Sequence, residues 1–181
     1  MQSLDATPLD LPMNGRNIPA GSTLGGVIGT QPTLLVFLRH FGCIFCRETV
    51  ADLKAITAEN PDYPQVIFFY QGTPEEGDAF FSHIWPEARA VSDIPKTFYD
   101  AFGIQRGGMR EMFGPAVWAC GVRATAKGHT IGLKTGDPWT MPGVFLIHDG
   151  QILWQHDFKH AGDHPDFREI MSYLPELTHH D

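Results

Sequence analysis

Two continuous apolar runs, residues 33–38 and 65–70, stand out in the first half of the chain. Each is typical of a strand buried on both faces. Between them, the positions that recur at helical spacing are Cys46, Val50, Leu53 and Thr57. This spacing predicts a helix over about 43–59, ended by the Asn-Pro pair at 60–61.

Shorter elements continue the same alternation. Thr73 and Pro74, followed by two acidic residues, are typical of a helix start, and this helix is predicted to run to about Ile84. Residues 88–91 predict a short strand, and 94–102 a helix. Strands that alternate with helices indicate an α/β protein with parallel strands in right-handed βαβ units.

The second half of the chain contains a hairpin pattern. Residues 144–154 are two strand-like runs joined at Asp149-Gly150, a strong short-range hairpin signal. A final helix is predicted over 163–174. Near the start, where the sequence otherwise indicates loop, residues 24–28 suggest a short strand.

Length and composition indicate one domain spanning residues 1–181. The chain has 43% hydrophobic and 19% charged residues, which is ordinary for a globular protein. Residues 1–23 form an N-terminal extension, and about 105–136 a helical insertion before the hairpin, with its helix over about 115–127. The basic residues of this insertion are Arg106, Arg110, Arg123, Lys127 and Lys134. We interpret it as a solvated helical excursion, or as a surface that attracts anionic substrates or an acidic partner.

Net charge and the N-terminal sequence narrow the function classes. A net charge of −8 without a basic run argues against a nucleic-acid partner. The first ten residues contain acids and a proline where a secretory signal has basic and then apolar residues, and no segment reaches the length needed to span a bilayer. We therefore expect a cytoplasmic protein with no membrane partner, in which a Cys-x-x-Cys pair is redox-active or metal-binding.

Cys43 and Cys46 lie where the first buried strand meets its helix. Their spacing places the two side chains on one face of a helical turn, about 5–6 Å apart, within reach of a disulfide. The helix start favours a thiolate, which is the reactive form of cysteine. Arg39, His40 and Arg47 are close enough in sequence to add positive potential.

Other interpretations of the same residues stay open. The two cysteines could be buried apolar residues, or could bind a metal together with His40. Three histidines spaced by four, His156, His160 and His164, could also bind metal, although Gly162 and Pro165 interrupt the run and favour surface or capping roles. Cys120 is interpreted mainly as a packing residue, with a resolving role as the alternative.

The order of elements, with a Cys-x-x-Cys after an early strand, resembles the thioredoxin fold over residues 24–175. Residues 37–48 and 142–147 are similar to the peroxiredoxin-like group of the alkyl hydroperoxide reductase and thiol-specific antioxidant superfamily. The resemblance implies a central mixed sheet flanked by helices. It also implies a cis-proline at Met141-Pro142, where the backbone pairs with a substrate; the alternatives are a trans proline that enters the strand, or Pro138 in this role. When Cys46 is aligned with the peroxide-attacking cysteine of peroxiredoxins, Arg39 stands where that family places a proline, and Cys43 where it places a threonine or serine.

The resemblance implies a thiol-disulfide oxidoreductase or thiol peroxidase that cycles a Cys43–Cys46 dithiol and disulfide without a cofactor. Its partners would be a peroxide, or a protein or low-molecular-weight disulfide, and a thiol reductant. By thioredoxin logic Cys43 attacks and Cys46 resolves, whereas by peroxiredoxin logic the roles reverse. The alternative is a non-catalytic thioredoxin-fold binding protein that uses the Cys-x-x-Cys for metal.

Overall fold

A computed structural model describes residues 2–3, 6–109, 114–126 and 135–174. The elements of the first half are β1 (Gln2–Ser3), α1 (Ala6–Leu9), β2 (Gly15–Arg16), α2 (Leu24–Ile28), β3 (Thr33–Phe37), α3 (Ile44–Glu59), β4 (Gln65–Tyr70), α4 (Pro74–Ile84), β5 (Arg89–Ser92) and α5 (Thr97–Ala101). They are followed by α6 (Pro115–Ala126), β6 (Gly143–His148), β7 (Gln151–Gln155) and a 3₁₀-helix (Phe167–Tyr173).

The strands of the described residues form one mixed sheet in the order β1-β7-β6-β3-β4-β5-β2. β3, β4 and β5 are parallel neighbours, and β6 runs antiparallel on the other side of β3. The predicted β–α–β–α–β order, the hairpin of β6 and β7, and the mixed α/β architecture are therefore confirmed. β3 is central, so the end of β3 lies between β4 and the start of β6.

Alternate residues of the central strands enter two hydrophobic cores, one on each face of the sheet. Leu34 and Val36 of β3 pack with α3 and α4 on one face, whereas Leu35 and Phe37 pack with α2 and α5 on the other. Both faces of β3 are buried, which explains why its sequence is continuously apolar rather than alternating. The strand that leads to Cys43 is thus held from both sides.

Three predicted elements differ in the structure. Residues 24–28 form helix α2 rather than a strand, because the Thr23 side chain accepts a hydrogen bond from the Gly26 N–H (3.2 Å) and caps a helical turn. The predicted helix over 94–102 is shorter, since the Asp93 carboxylate accepts from the N–H groups of Thr97, Phe98 and Tyr99 and starts α5 at Thr97. The last helix is a 3₁₀-helix confined to Phe167–Tyr173.

The insertion contains the predicted helix, α6, which packs against α3. Arg110, Lys127 and Lys134, three of its basic residues, lie outside the described residues. In the part of the chain that the structure covers, no helix combines the length and apolarity that crossing a bilayer requires.

Gly77 of α4 lies directly against the buried Tyr70 ring. A Cβ at this position would lie 2.1 Å from the Tyr70 Oη, so we expect Gly77→Ala to lower the free energy of unfolding by about 1–3 kcal/mol through overpacking. Gly121→Ala in α6 is the matched control, because no described atom outside the local backbone of α6 lies within 4 Å of its Cβ position and alanine favours helix by about 1 kcal/mol. Urea unfolding of the reduced proteins measures both, and equal stability of the two variants would contradict this packing.

Candidate active site

Cys43 is the N-cap of α3, and Cys46 lies in the first turn of the same helix. β3 delivers the chain to this point, and the apolar stripe of α3 holds the helix against the sheet. The two residues are 5% and 4% exposed, and both are present as thiols. The site is therefore a buried dithiol at the carboxyl end of the parallel strands, where α/β proteins commonly place their chemistry.

Arg39 contacts both cysteines. Its backbone N–H donates to the Cys46 sulfur (3.3 Å), and its Nη1 donates to the Cys43 sulfur (3.6 Å). The side chain is only 8% exposed, so its positive charge acts on the sulfurs with little screening by water. Sequence reasoning named Arg39 as a source of positive potential, and the structure directs it at the dithiol.

The remaining donors of Arg39 anchor the loop before β6. Nε donates to the Thr140 carbonyl (3.1 Å), and Nη2 donates to the Pro138 carbonyl (2.7 Å). The planar guanidinium presents several donors in a fixed geometry, so one side chain can bond the loop and the sulfur together. The position of this loop and the electrostatics of the dithiol are consequently linked.

Gln71, which is 3% exposed, supports Arg39 from the end of β4. Its Nε2 donates to the Arg39 carbonyl (2.9 Å), and its Oε1 accepts from the Asp137 N–H (3.1 Å) and the Thr140 hydroxyl (3.4 Å). Sequence reasoning did not identify Gln71 or Thr140. The sequence feature that could have identified Gln71 is its position: it is a polar residue directly after a buried parallel strand, at the same edge of the sheet as the Cys-x-x-Cys pair.

The two thiols have opposite pKa shifts. A hydrogen bond from the Cys46 thiol to the Cys43 sulfur outweighs burial and, helped by the Arg39 charge, lowers the pKa of Cys43 from 9.0 to about 6. The N–H groups of the first turn of α3 add to this effect, although none forms a capping hydrogen bond with the Cys43 side chain. Burial, then hydrogen bonding to Cys43, raises the pKa of Cys46 well above 9.0.

Arg47 contacts helix α4. Its guanidinium lies over the Phe80 ring, 5.2 Å from the centroid, in a cation–π contact with α4. Phe80 stacks in turn on Phe41 (4.3 Å between centroids), so this contact fixes the turn that precedes Cys43. Of the basic side chains considered from sequence, Arg47 therefore has a packing role.

The Met141-Pro142 peptide is trans, because the described residues contain no cis peptide bond, and the cis-proline expectation is wrong. The Met141 N–H already donates to the Gln105 carbonyl (3.0 Å). Pro142 does lie beside the dithiol, where it lines a small cavity with Cys46. That cavity, about 20 Å³, has room for about one water-sized molecule. Substrate binding at Met141 and Pro142 stays a prediction.

The metal interpretations drawn from sequence find no support in the geometry. Within the described residues, His40 does not form a three-ligand group with the two cysteines, nor do the three histidines form one together. His156 faces Asp163 (Nε2 to Oδ2, 3.4 Å), whereas His164 faces Asp52 (3.5 Å).

Cys120 packs beside Gly162, where α6 meets the core. A Cβ on Gly162 would lie 2.8 Å from the Cys120 Cβ, so only a glycine allows this close approach. The contact agrees with a packing role for Cys120.

A dithiol at the start of a helix, beside a sheet of this topology, defines a thioredoxin-fold redox protein. Solved structures share the fold: Xanthomonas campestris peroxiredoxin Q aligns over 89% of this chain and 88% of its own at 16% identity, with a TM-score of 0.63. A secreted Mycobacterium tuberculosis disulfide oxidoreductase homologous to Escherichia coli DsbE covers 93% and 97% at 13% identity (TM-score 0.56). The peroxidoxin BcpB of the same organism covers 90% and 90% at 17% identity (TM-score 0.53).

The sequence profile of the AhpC/TSA antioxidant enzymes matches residues 50–160, and the chain belongs to this family. The match begins after Cys46, so membership rests on the sequence from Val50 onward rather than on the cysteines. No curated protein matches the sequence significantly. Family and fold together make thiol-dependent oxidoreduction the activity class of this protein.

The hydrogen bond from Cys46 accounts for the largest lowering of the Cys43 pKa, so removing it has a defined effect. In a Cys120→Ser background, we expect alkylation of Cys43 by iodoacetamide to slow as the pH falls through about 6, because the thiolate is lost. Cys46→Ala shifts this midpoint upward towards 9.0, whereas Cys46→Ser, which keeps a hydroxyl donor, shifts it less. Rates are followed by peptide mass spectrometry. Identical midpoints in all three proteins would contradict the assignment.

Arg39 has a charge effect and an anchoring effect, which two substitutions separate. Arg39→Met removes both, so we expect a higher Cys43 pKa and, because the Thr140 and Pro138 carbonyls lose their donor, a loss of about 1–3 kcal/mol of stability. Arg39→Lys keeps the positive charge but loses the planar set of donors of the guanidinium. We therefore expect this variant to lose stability, with a smaller rise in the Cys43 pKa than in Arg39→Met. Ultraviolet titration of the thiolate and urea unfolding measure the two effects. An unchanged pKa in Arg39→Met would show that the guanidinium does not act on Cys43.

Proposed function

We propose that this protein is a dithiol–disulfide oxidoreductase in which Cys43 attacks the substrate and Cys46 resolves the intermediate. The observation that carries the proposal is the asymmetry of the two thiols. Cys43 has a lowered pKa and contacts the Arg39 guanidinium, whereas Cys46 has a raised pKa and donates to Cys43. Near neutral pH, Cys43 is therefore the nucleophile and Cys46 the proton-bearing partner.

The reaction balances as a two-electron exchange. The Cys43 thiolate attacks one sulfur of a substrate disulfide, forms a mixed disulfide and expels the first substrate thiolate. Cys46 then loses its proton to that leaving thiolate or to solvent and attacks the Cys43 sulfur. The second substrate thiolate leaves, the Cys43–Cys46 disulfide forms, and a thiol reductant restores the dithiol.

A disulfide substrate fits this geometry better than a peroxide does. The residue aligned with the peroxide-attacking cysteine is Cys46, and burial holds its pKa well above 9.0. Cys43 and Arg39 stand where peroxiredoxins place threonine or serine and proline. The Arg39 guanidinium donates hydrogen bonds to the Thr140 and Pro138 carbonyls and to the Cys43 sulfur.

A thiol peroxidase is the second candidate function. Membership of the AhpC/TSA family favours it. In this case one cysteine is oxidised by the peroxide to a sulfenic acid, and the other condenses with it, releasing water and forming the same disulfide. For either substrate we propose a cytoplasmic location, where cellular thiols would supply the reductant.

Single-cysteine variants distinguish the roles. Cys46→Ser should form a stable mixed disulfide at Cys43 when incubated with a small aromatic disulfide, because the resolving thiol is missing. Cys43→Ser should react far more slowly, since burial raises the pKa of the remaining thiol, Cys46, and keeps it protonated. Intact-mass and peptide mass spectrometry detect the adduct, and Cys120→Ser is the matched control that should turn over like the wild type.

Peroxide is tested on the same proteins with a sulfenic-acid probe. Disulfide turnover without peroxide turnover selects the oxidoreductase, whereas rapid peroxide consumption with slow disulfide exchange selects the peroxidase. A mixed disulfide that accumulates on Cys46 in Cys43→Ser, faster than on Cys43 in Cys46→Ser, would overturn the proposed order of attack.

A further inference from the structure

The loop before β6, residues 135–141, presents two backbone carbonyls to Arg39. These are the carbonyls of Pro138 and Thr140, which accept hydrogen bonds from the guanidinium. Each belongs to a trans peptide, and in such a planar unit the N–H group points in the opposite direction to the carbonyl. The partners of the two N–H groups therefore decide where the two carbonyls point.

Both N–H groups have partners on the side of the loop that faces away from Arg39. The Trp139 N–H lies on the peptide of the Pro138 carbonyl and donates to the Asp137 Oδ1 (3.0 Å). On the second peptide, the Met141 N–H donates to the carbonyl of residue 105 (3.0 Å). The first peptide is thus oriented by a side chain, and the second by the backbone of a neighbouring segment.

The Asp137 carboxylate is itself held by two cations. Arg106 approaches both of its oxygens, with Nε 3.0 Å from Oδ2 and Nη2 3.5 Å from Oδ1, and the Lys96 Nζ lies 3.6 Å from Oδ2. A single ion pair at this exposure contributes little to stability, but a two-point contact with a guanidinium fixes the direction of a carboxylate. The Asp137 N–H also donates to the Gln71 Oε1 (3.1 Å), which fixes the backbone of the same residue.

The segment that carries Arg106 pairs with the loop in the manner of a short strand. The Gly107 N–H donates to the Trp139 carbonyl (2.8 Å), and Arg106 and Thr140 face each other in an isolated antiparallel bridge. This backbone pairing places the Arg106 side chain at Asp137. The outer side of the loop is therefore held by one connected set of contacts.

We propose, on the basis of the function proposed above in which Cys43 attacks the substrate, that Asp137 is a positioning residue that holds the Arg39 guanidinium against the Cys43 sulfur. The contacts run from the Asp137 carboxylate to the Trp139 N–H, across that peptide to the Pro138 carbonyl, and from there to Arg39. The Arg39 Nη1 then donates to the Cys43 sulfur (3.6 Å). Asp137 acts on the thiol through Arg39.

The charge of Asp137 and its positioning role act on Cys43 in opposite directions. A nearby carboxylate disfavours a thiolate, so removal of the charge alone would lower the pKa of Cys43. Displacement of the Arg39 guanidinium would raise this pKa, because the Arg39 charge contributes to its lowering. The direction of the shift after substitution of Asp137 therefore distinguishes the two effects.

The test measures the pH midpoint of Cys43 alkylation by iodoacetamide, in the Cys120→Ser background and without a substrate. Asp137→Ala should raise this midpoint by about one pH unit, because the opposite charge is no longer held at the sulfur. Asp157→Ala is the matched control, since it removes an exposed acid of the open cleft next to Pro142 and should not raise the midpoint. Peptide mass spectrometry follows the rates, and circular dichroism verifies the folds.

A second background shows whether Asp137 acts through Arg39. In Arg39→Met, where the midpoint is already raised, Asp137→Ala should leave it unchanged or lower it, because residues that act as one unit are not additive. Arg106→Gln keeps the test decisive if Asp137→Ala does not fold, since the replaced side chain is 64% exposed. It should raise the midpoint when Arg39 is present and not in Arg39→Met.

A midpoint that is unchanged or lowered in Asp137→Ala would overturn the positioning role, as would an equal rise in both backgrounds. The measurement needs no substrate, so its result is separate from that of the proposed function. A raised midpoint in a protein that does not turn over a small aromatic disulfide would contradict the oxidoreductase and support the positioning role. Turnover with an unchanged midpoint would contradict the positioning role alone.

Discussion

The site depends on the hydrogen bonds of the buried Arg39 side chain. One guanidinium, almost fully buried, bonds the carbonyls of Pro138 and Thr140 and donates to the Cys43 sulfur. The loop before β6 is thereby held over the start of α3, and the charge that stabilises a thiolate is placed by the same bonds. Gln71 fixes the backbone of Arg39 and the loop together, so the positions of three strand ends and the chemistry of the dithiol are set by one hydrogen-bonded network.

Within that network the two cysteines differ because of their places in one helical turn. Cys43, at the N-cap, receives the hydrogen bond of Cys46, the positive potential of Arg39 and the helix terminus. The pKa of Cys46, one turn further along the helix, is raised by burial and by the interactions with the neighbouring Cys43 thiolate. The order of attack proposed above follows from this difference. In this proposed order, Cys43 attacks and Cys46 resolves, as expected for thioredoxin-like proteins, although the chain belongs to the AhpC/TSA antioxidant enzymes.

Much of the fold around the site could be predicted from the sequence, because β3, α3, β4 and the hairpin of β6 and β7 are encoded by local periodicity and turn residues. Helix α2 could not be predicted, because its five residues include two glycines and show no clear hydrophobic periodicity. The hydrogen bond of the Thr23 cap favours a helix over a strand there. The Cys-x-x-Cys pair was visible for the same local reason. The direction of Arg39 was not, because its carbonyl partners lie 99 and 101 residues away along the chain. The resemblance to thioredoxin-fold proteins correctly indicated a proline at the start of the strand beside the dithiol, but not its peptide geometry, because the Met141-Pro142 peptide is trans.

The proposed reaction requires Cys43 to be the reactive thiolate of the reduced protein. The most direct measurement treats reduced wild-type protein at neutral pH with less than one equivalent of a thiol-alkylating reagent and maps the modified peptides by mass spectrometry under denaturing digestion. We expect the label to be found predominantly on Cys43, because the pKa of Cys43 is lowered to about 6 whereas the pKa of Cys46 is raised well above 9.0. A label found mainly on Cys46, or divided equally between the two cysteines, would contradict it.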